Sequence, residues 1–117
     1  MDEARATLPE GLTPVRIGII VLALATALIH IVLAIPDMLI PFYLNGIGYI
    51  TLTAALFLLP LRRHRRLIRW VLMGFTALTI VLWVFLGQPY TPIGYVTKAI
   101  EVALLVLLWL DARQSPA

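Results

Sequence analysis

Read only for apolar and polar positions, the chain divides into four long apolar runs separated by short polar breaks. The runs cover 15–35, 42–61, 67–86 and 92–110. Each is long enough to cross a hydrocarbon core of about 30 Å at about 1.5 Å per residue. None shows the alternation that a membrane-spanning barrel strand needs. Pro36-Asp37 with Pro41 marks the first break, Arg62-Arg63-His64-Arg65-Arg66 the second, and Gly87-Gln88-Pro89-Tyr90 the third. Breaks this short make consecutive helices antiparallel neighbours. The pattern predicts an all-α integral membrane protein: one up-and-down four-helix transmembrane bundle over 1–117.

Two local signals sharpen the helix starts. Thr13-Pro14 and Thr91-Pro92 each place an N-cap candidate before a proline suited to the first helical position. The first run is too long for the apolar part of a signal peptide, and the tail before it is not basic, so it reads as an uncleaved span. The segments Met1–Pro14 and Asp111–Ala117 are polar and read as tails, the first disordered or interfacial.

Composition turns this pattern into an exclusion. Apolar residues make up 62% of 117 positions and charged residues 13%, against about 25% charged in a typical soluble domain. A soluble fold this small cannot hide so much apolar surface, and no length remains for a second domain. The chain has no cysteine. That excludes disulfides, thiol relays, iron–sulfur clusters and thiolate metal sites.

The net charge of +3 matters through its placement. Arg5, Arg16, the loop arginines Arg62, Arg63, Arg65 and Arg66, then Arg69 and Arg113 gather at one side. The first and third connections carry no lysine or arginine. By the positive-inside rule both termini and the arginine loop are cytoplasmic, in a cell inner (plasma) membrane. Trp70 and Trp109 fall near that boundary, and Tyr43, Trp83, Tyr90 and Tyr95 near the outer one. The loop arginines are expected to set topology and to contact anionic lipid headgroups. Nucleic acid is not an expected partner, because the cluster is a short loop tied to a membrane.

The candidate chemistry lies in the residues that interrupt the apolar pattern. Lys98 and Glu101 are three apart on one helix face, roughly 9 and 13 Å below the outer end. A charge at that depth costs about 2.5–3.5 kcal/mol on insertion scales. The pair reads either as a packing ion pair or as a responsive carboxylate site. His30 lies at a depth of about 9 Å on a stripe formed by Ala23, Thr26, His30, Ala34 and Asp37, a stripe expected to face other helices. Asn45, Gly46, Gly48 and Tyr49 add close-packing and hydrogen-bonding positions from the second helix. Thr76 and Thr79 are expected to bond back to their own helix. Ala23 with Ala27, and Ala99 with Ala103, are spaced for helix contacts.

His30, Asp37, Asn45, Tyr49, Tyr95, Lys98 and Glu101 therefore form a candidate polar pocket in the outer half. The cytoplasmic half reads as nearly free of polar side chains inside the arginine belt. No motif for an enzyme, a metal site or a cofactor is present: His64 lies at the opposite face from His30, and no ligand cluster or nucleophile pattern occurs. Size and helix count resemble the small multidrug resistance transporters. That family uses a glutamate in its first helix, and this chain has no carboxylate between Arg16 and Pro36, so it is not assigned there. Two functions remain. One is an accessory or interaction subunit, in a homo-oligomer or with other membrane subunits. The other is a small transporter or a binding protein for a lipid- or quinone-type ligand, centred on the outer-half pocket.

Overall fold

The computed structural model describes residues 13–57, 63–88 and 90–114. Four helices follow one another: α1 (Pro14–Ala34), α2 (Ile40–Phe57), α3 (Arg65–Leu86) and α4 (Pro92–Gln114). All four are long and apolar enough to span a membrane. Among the described residues there is no strand. The helices pack in a ring, α1 on α2, α2 on α3, α3 on α4 and α4 on α1, with the closest packing where α1 meets α2 and α4.

The helix starts follow the local chemistry. The Thr13 hydroxyl accepts from the Arg16 backbone N–H at 3.2 Å with Pro14 opening α1. The Thr91 hydroxyl does the same for Gly94 at 3.2 Å ahead of α4. Each side chain satisfies one of the donors a helix leaves unpaired at its first turn. Between α1 and α2, Met38 takes a left-handed backbone conformation with φ 54°. The Leu39 N–H bonds the Ala34 carbonyl at 3.0 Å, so the chain reverses within a few residues.

What is inside and what is outside reverses the soluble pattern. Among the described residues, eleven polar or charged side chains are buried against nine apolar ones. Large apolar side chains such as Leu28, Leu44, Leu78 and Phe85 point outward. Lipid accepts an apolar exterior, while polar groups must find partners within the bundle. Close approach is provided by small residues. A methyl on Gly46 would sit 2.6 Å from Ile31 Cγ1 and 2.9 Å from the Ala27 carbonyl of α1, and one on Gly48 would sit 2.6 Å from the Phe75 ring of α3. Ala23 and Ala27 are used within the bundle, fully buried.

Two stretches of the sequence reading fall outside the described residues, and the end of α4 differs from it. Helix α2 is described to Phe57, and 58–62, with Arg62, lie outside the described residues. The segment read as an N-terminal tail lies outside them up to residue 12. Helix α4 continues past Leu110 to Gln114, so Asp111 belongs to its last turn and not to a tail. The cause is electrostatic: the Asp111 carboxylate is held inside the bundle by two arginines.

Candidate functional site

Two buried ionic clusters are stacked along the bundle. The first is at the end where α1 and α3 begin and α4 finishes. Asp111 Oδ1 accepts from Arg16 Nε at 2.8 Å, and Oδ2 accepts from Arg69 Nη1 at 3.0 Å. All three side chains are at least 95% buried. One carboxylate thus joins three helices, each of its oxygens serving a different guanidinium. Such charge-assisted bonds are about twice as strong as neutral ones. Arg16 and Arg69 were read as markers of topology, and Asp111 as part of a tail. The arginine belt therefore reaches into the bundle, and the expectation of a half free of polar side chains is corrected there.

The second cluster lies nearer the α1–α2 and α3–α4 connections. Glu101 is fully buried. Its Oε1 accepts from Lys98 Nζ at 2.6 Å, and its Oε2 accepts from the Thr26 hydroxyl at 2.8 Å. His30 Nδ1 is 2.8 Å from the Thr26 carbonyl, so this nitrogen carries the proton. That leaves Nε2 turned toward Glu101, 3.9 Å from Oε2. His30 and Glu101 thus share one cluster, built from one turn of α1 and one turn of α4. The i, i+3 and i, i+4 spacings place its members on facing helix sides.

This second cluster borders a cavity of about 230 Å³. Lys98 and His30 supply its charged and ionisable side. Phe42, Leu82, Trp83 and Leu86 give it apolar walls, and Asn45 and Thr79 line it from α2 and α3. The Trp83 indole is fixed by ring contacts with Tyr90 and Tyr95, at centroid distances of 4.6 and 5.2 Å. Gly94 makes room for it: a methyl there would lie 3.0 Å from the indole nitrogen. The Tyr90 hydroxyl donates to the Val84 carbonyl and ties the connection to α3.

The seven predicted pocket residues separate cleanly. His30, Lys98 and Glu101 form the cluster, and Asn45 lines the cavity beside it. Tyr49 is fully buried, its ring 6.4 Å from His30 and edge-on to Phe75 at 4.8 Å. Asp37 does not join. Helix α1 ends at Ala34 ahead of Pro36, so the helical stripe stops one step short and Asp37 is exposed in the connection. Tyr95 does not join either; its ring is more than half exposed and packs on Trp83 at the rim. Thr26 is the member the prediction passed over, although it stood on the His30 stripe.

Thr76 and Thr79 donate to the Leu72 and Phe75 carbonyls, each at 2.9 Å, as their back-bonding tendency implied. In the arginine loop, Arg63 and Arg66 are exposed, while Arg65 Nε donates to the Leu56 carbonyl at 3.0 Å near the end of α2. Among the described residues no group of His, Asp and Glu side chains is arranged to hold a metal ion. The chain matches no protein-family model, no curated protein and no solved structure.

Proposed function

We propose that this chain is a multi-pass protein of a cell inner membrane that binds a small amphipathic molecule at the cavity beside Lys98 and Glu101. The observation that carries the reading is the coincidence of a cavity with a buried ionic cluster. An engineered apolar cavity of ~150 Å³ accepts a benzene ring, so about 230 Å³ suits one substituted ring or a short headgroup. Convergent polar groups on an otherwise apolar wall are the usual make-up of a small-molecule site. The role we propose is binding or passage of the molecule.

The test is direct. In reconstituted bilayers, ring-bearing amphipaths should quench Trp83 fluorescence saturably, and Glu101→Gln should abolish the effect while the helical spectrum and a cooperative, though weakened, unfolding transition persist. Loss of folding in that variant would assign the Lys98–Glu101 pair to packing alone.

Orientation belongs to the same proposal. Both termini and the arginine loop face the cytoplasm, and Arg62, Arg63 and Arg66 meet anionic headgroups there. Because the chain has no cysteine, single replacements report without background. Gln114→Cys should resist an impermeant maleimide added outside intact cells, and Gln88→Cys should react.

A second reading, an interaction subunit or homo-oligomer, is favoured by one observation: Ala99 and Ala103 face outward on α4. Small residues four apart allow close helix contact. Disulfide cross-linking of Ala103→Cys to a second copy in the membrane would support it, and a monomer under the same conditions would count against it.

A further inference from the structure

Two ionisable side chains line the cavity, Lys98 and His30. Both lie against one carboxylate: Lys98 Nζ is 2.6 Å from Glu101 Oε1, and His30 Nε2 is 3.9 Å from Oε2. Glu101 itself does not line the space. Its side chain has no exposed surface, whereas 10% of the Lys98 side chain and 9% of the His30 side chain remain open. Among the described residues that line the cavity there is no Asp or Glu. The ionisable residues that meet an occupant are thus a lysine and a histidine, with the carboxylate behind them.

The charge of this cluster follows from its geometry. His30 Nδ1 places its proton on the Thr26 carbonyl at 2.8 Å. An Nε2 that also carried a proton would close on Glu101 to about 2.7–2.9 Å, the length of a charge-assisted bond. At 3.9 Å it faces the carboxylate as a bare acceptor. Lys98 and Glu101 then cancel, and the cluster as a whole is neutral. Tyr49 of α2 stands with its ring 6.4 Å from the imidazole and is an uncharged phenol at neutral pH. From α3 the cavity receives Thr79, Trp83 and aliphatic side chains, none of them titratable.

This balance discriminates between occupants. A cation in the cavity would stand beside Lys98 with no carboxylate on the wall to offset it. An anion meets the ammonium, but leaves the buried cluster with one negative charge in excess, which is costly away from water. His30 Nε2 removes that excess by accepting a proton from water. One histidine offsets one charge, so the site matches a monovalent anion and not a doubly charged phosphate monoester. Glu101 serves the arrangement by holding the ammonium at the cavity; without it the long stem lets Lys98 reach out toward the interface. The apolar walls and the volume of about 230 Å³ limit the rest of the ligand to about one ring.

We infer that the cavity takes a small, lipid-soluble carboxylic acid as its anion, and that one proton moves from water to His30 Nε2 as the anion binds. The inference rests on the ligand-binding reading above and names the chemical class of its ligand.

The experiment compares 4-bromobenzoate with the uncharged 4-bromobenzamide as heavy-atom quenchers of Trp83. The full chain carries Trp70→Phe and Trp109→Phe, two half-exposed positions, which leaves Trp83 as the sole tryptophan of three. In micelles of an uncharged detergent, with concentrations corrected for partitioning, the acid should bind about tenfold more tightly than the amide at about pH 6. Its affinity should fall about tenfold per pH unit from there to about pH 8, the slope of one linked proton. Heats of binding in two buffers of different ionisation enthalpy should show one proton taken up per molecule bound. The infrared spectrum of a probe labelled with carbon-13 at the carboxyl should show it ionised in the site, and His30→Gln should abolish the uptake. Equal binding of acid and amide, or binding of the acid without proton uptake, overturns the inference and leaves the ligand-binding reading standing. A protonated carboxyl on the bound probe, or uptake that survives in a folded His30→Gln, does the same. Absence of saturable quenching by either compound overturns both. The affinities, the proton count and the infrared spectrum all use the histidine-bearing chain, so misfolding of His30→Gln does not rescue the inference.

Discussion

The two buried ionic clusters use similar residues to different effect. At the arginine end, Asp111 is enclosed by Arg16 and Arg69, each of its oxygens taken by one guanidinium. At the other end, Glu101 is just as buried, yet its partners Lys98 and His30 also line a cavity. The first cluster ties three helices together and faces none of the cavity. The second joins only α1 and α4 and turns its remaining hydrogen-bonding capacity toward a space. A buried charge is thus not a functional signal in itself; a buried charge with an accessible space beside it is the stronger one.

The largest test of this contrast is Asp111→Asn. Removing the carboxylate that two buried guanidiniums share should cost about 3–5 kcal/mol of unfolding free energy, read from reversible unfolding in mixed micelles. A loss below about 1 kcal/mol would mean that the cluster is solvated and that the two ends do not differ as described. Next is Glu101→Gln, expected to cost about 1–3 kcal/mol, because the amide oxygen still accepts while the charge partner of Lys98 is gone. The double variant Lys98→Met with Glu101→Gln should return to within about 1 kcal/mol of the parent, in line with the modest net value of polar pairs inside membrane bundles. Failure of that rescue would place the second cluster in the same structural class as the first.

Smaller effects separate packing from chemistry. Gly46→Ala forces a methyl to 2.9 Å from the Ala27 carbonyl, which no side-chain rotation relieves, and should cost about 1–3 kcal/mol by the same unfolding measurement. The smallest is Gly74→Ala on the outward face of α3. A methyl there meets nothing within 4 Å, and the change should stabilise by up to about 1 kcal/mol through helix propensity alone. A destabilising Gly74→Ala would show that this face is covered in the membrane, and would favour the interaction reading.

The sequence carried the four spans, both threonine caps and the threonine back-bonds, because each depends on neighbours within a turn or two. It also brought His30, Asn45, Lys98 and Glu101 to one depth. It failed where a helix end had to be known first. Asp37 was carried onto the stripe by extending α1 past Pro36, and Asp111 was dropped by ending α4 too early. A signal for Asp111 was nevertheless present. Residues 97, 101, 104, 108 and 111 repeat at helical spacing, and all five are buried on one side of α4. Following that register one step beyond Leu110 predicts an inward carboxylate, for which Arg16 and Arg69 are the cations at the same end. The apolar walls of the cavity were not legible, since they depend on how Phe42, Leu82 and Trp83 from two helices splay, and no local pattern encodes that.

The bond between Arg16 and Asp111 joins positions 95 residues apart, and this has a consequence for biogenesis. The arginine leaves the ribosome with the first span, whereas its aspartate is made with the fourth. During synthesis the first hairpin is therefore complete before the carboxylate that Arg16 Nε donates to has been made. Only when α4 arrives can Asp111 draw Arg16 and Arg69 inward together. The bundle closes in one late step, and a chain halted after α3 should remain an open array of inserted helices, exposed to quality-control proteolysis until its last turn is made.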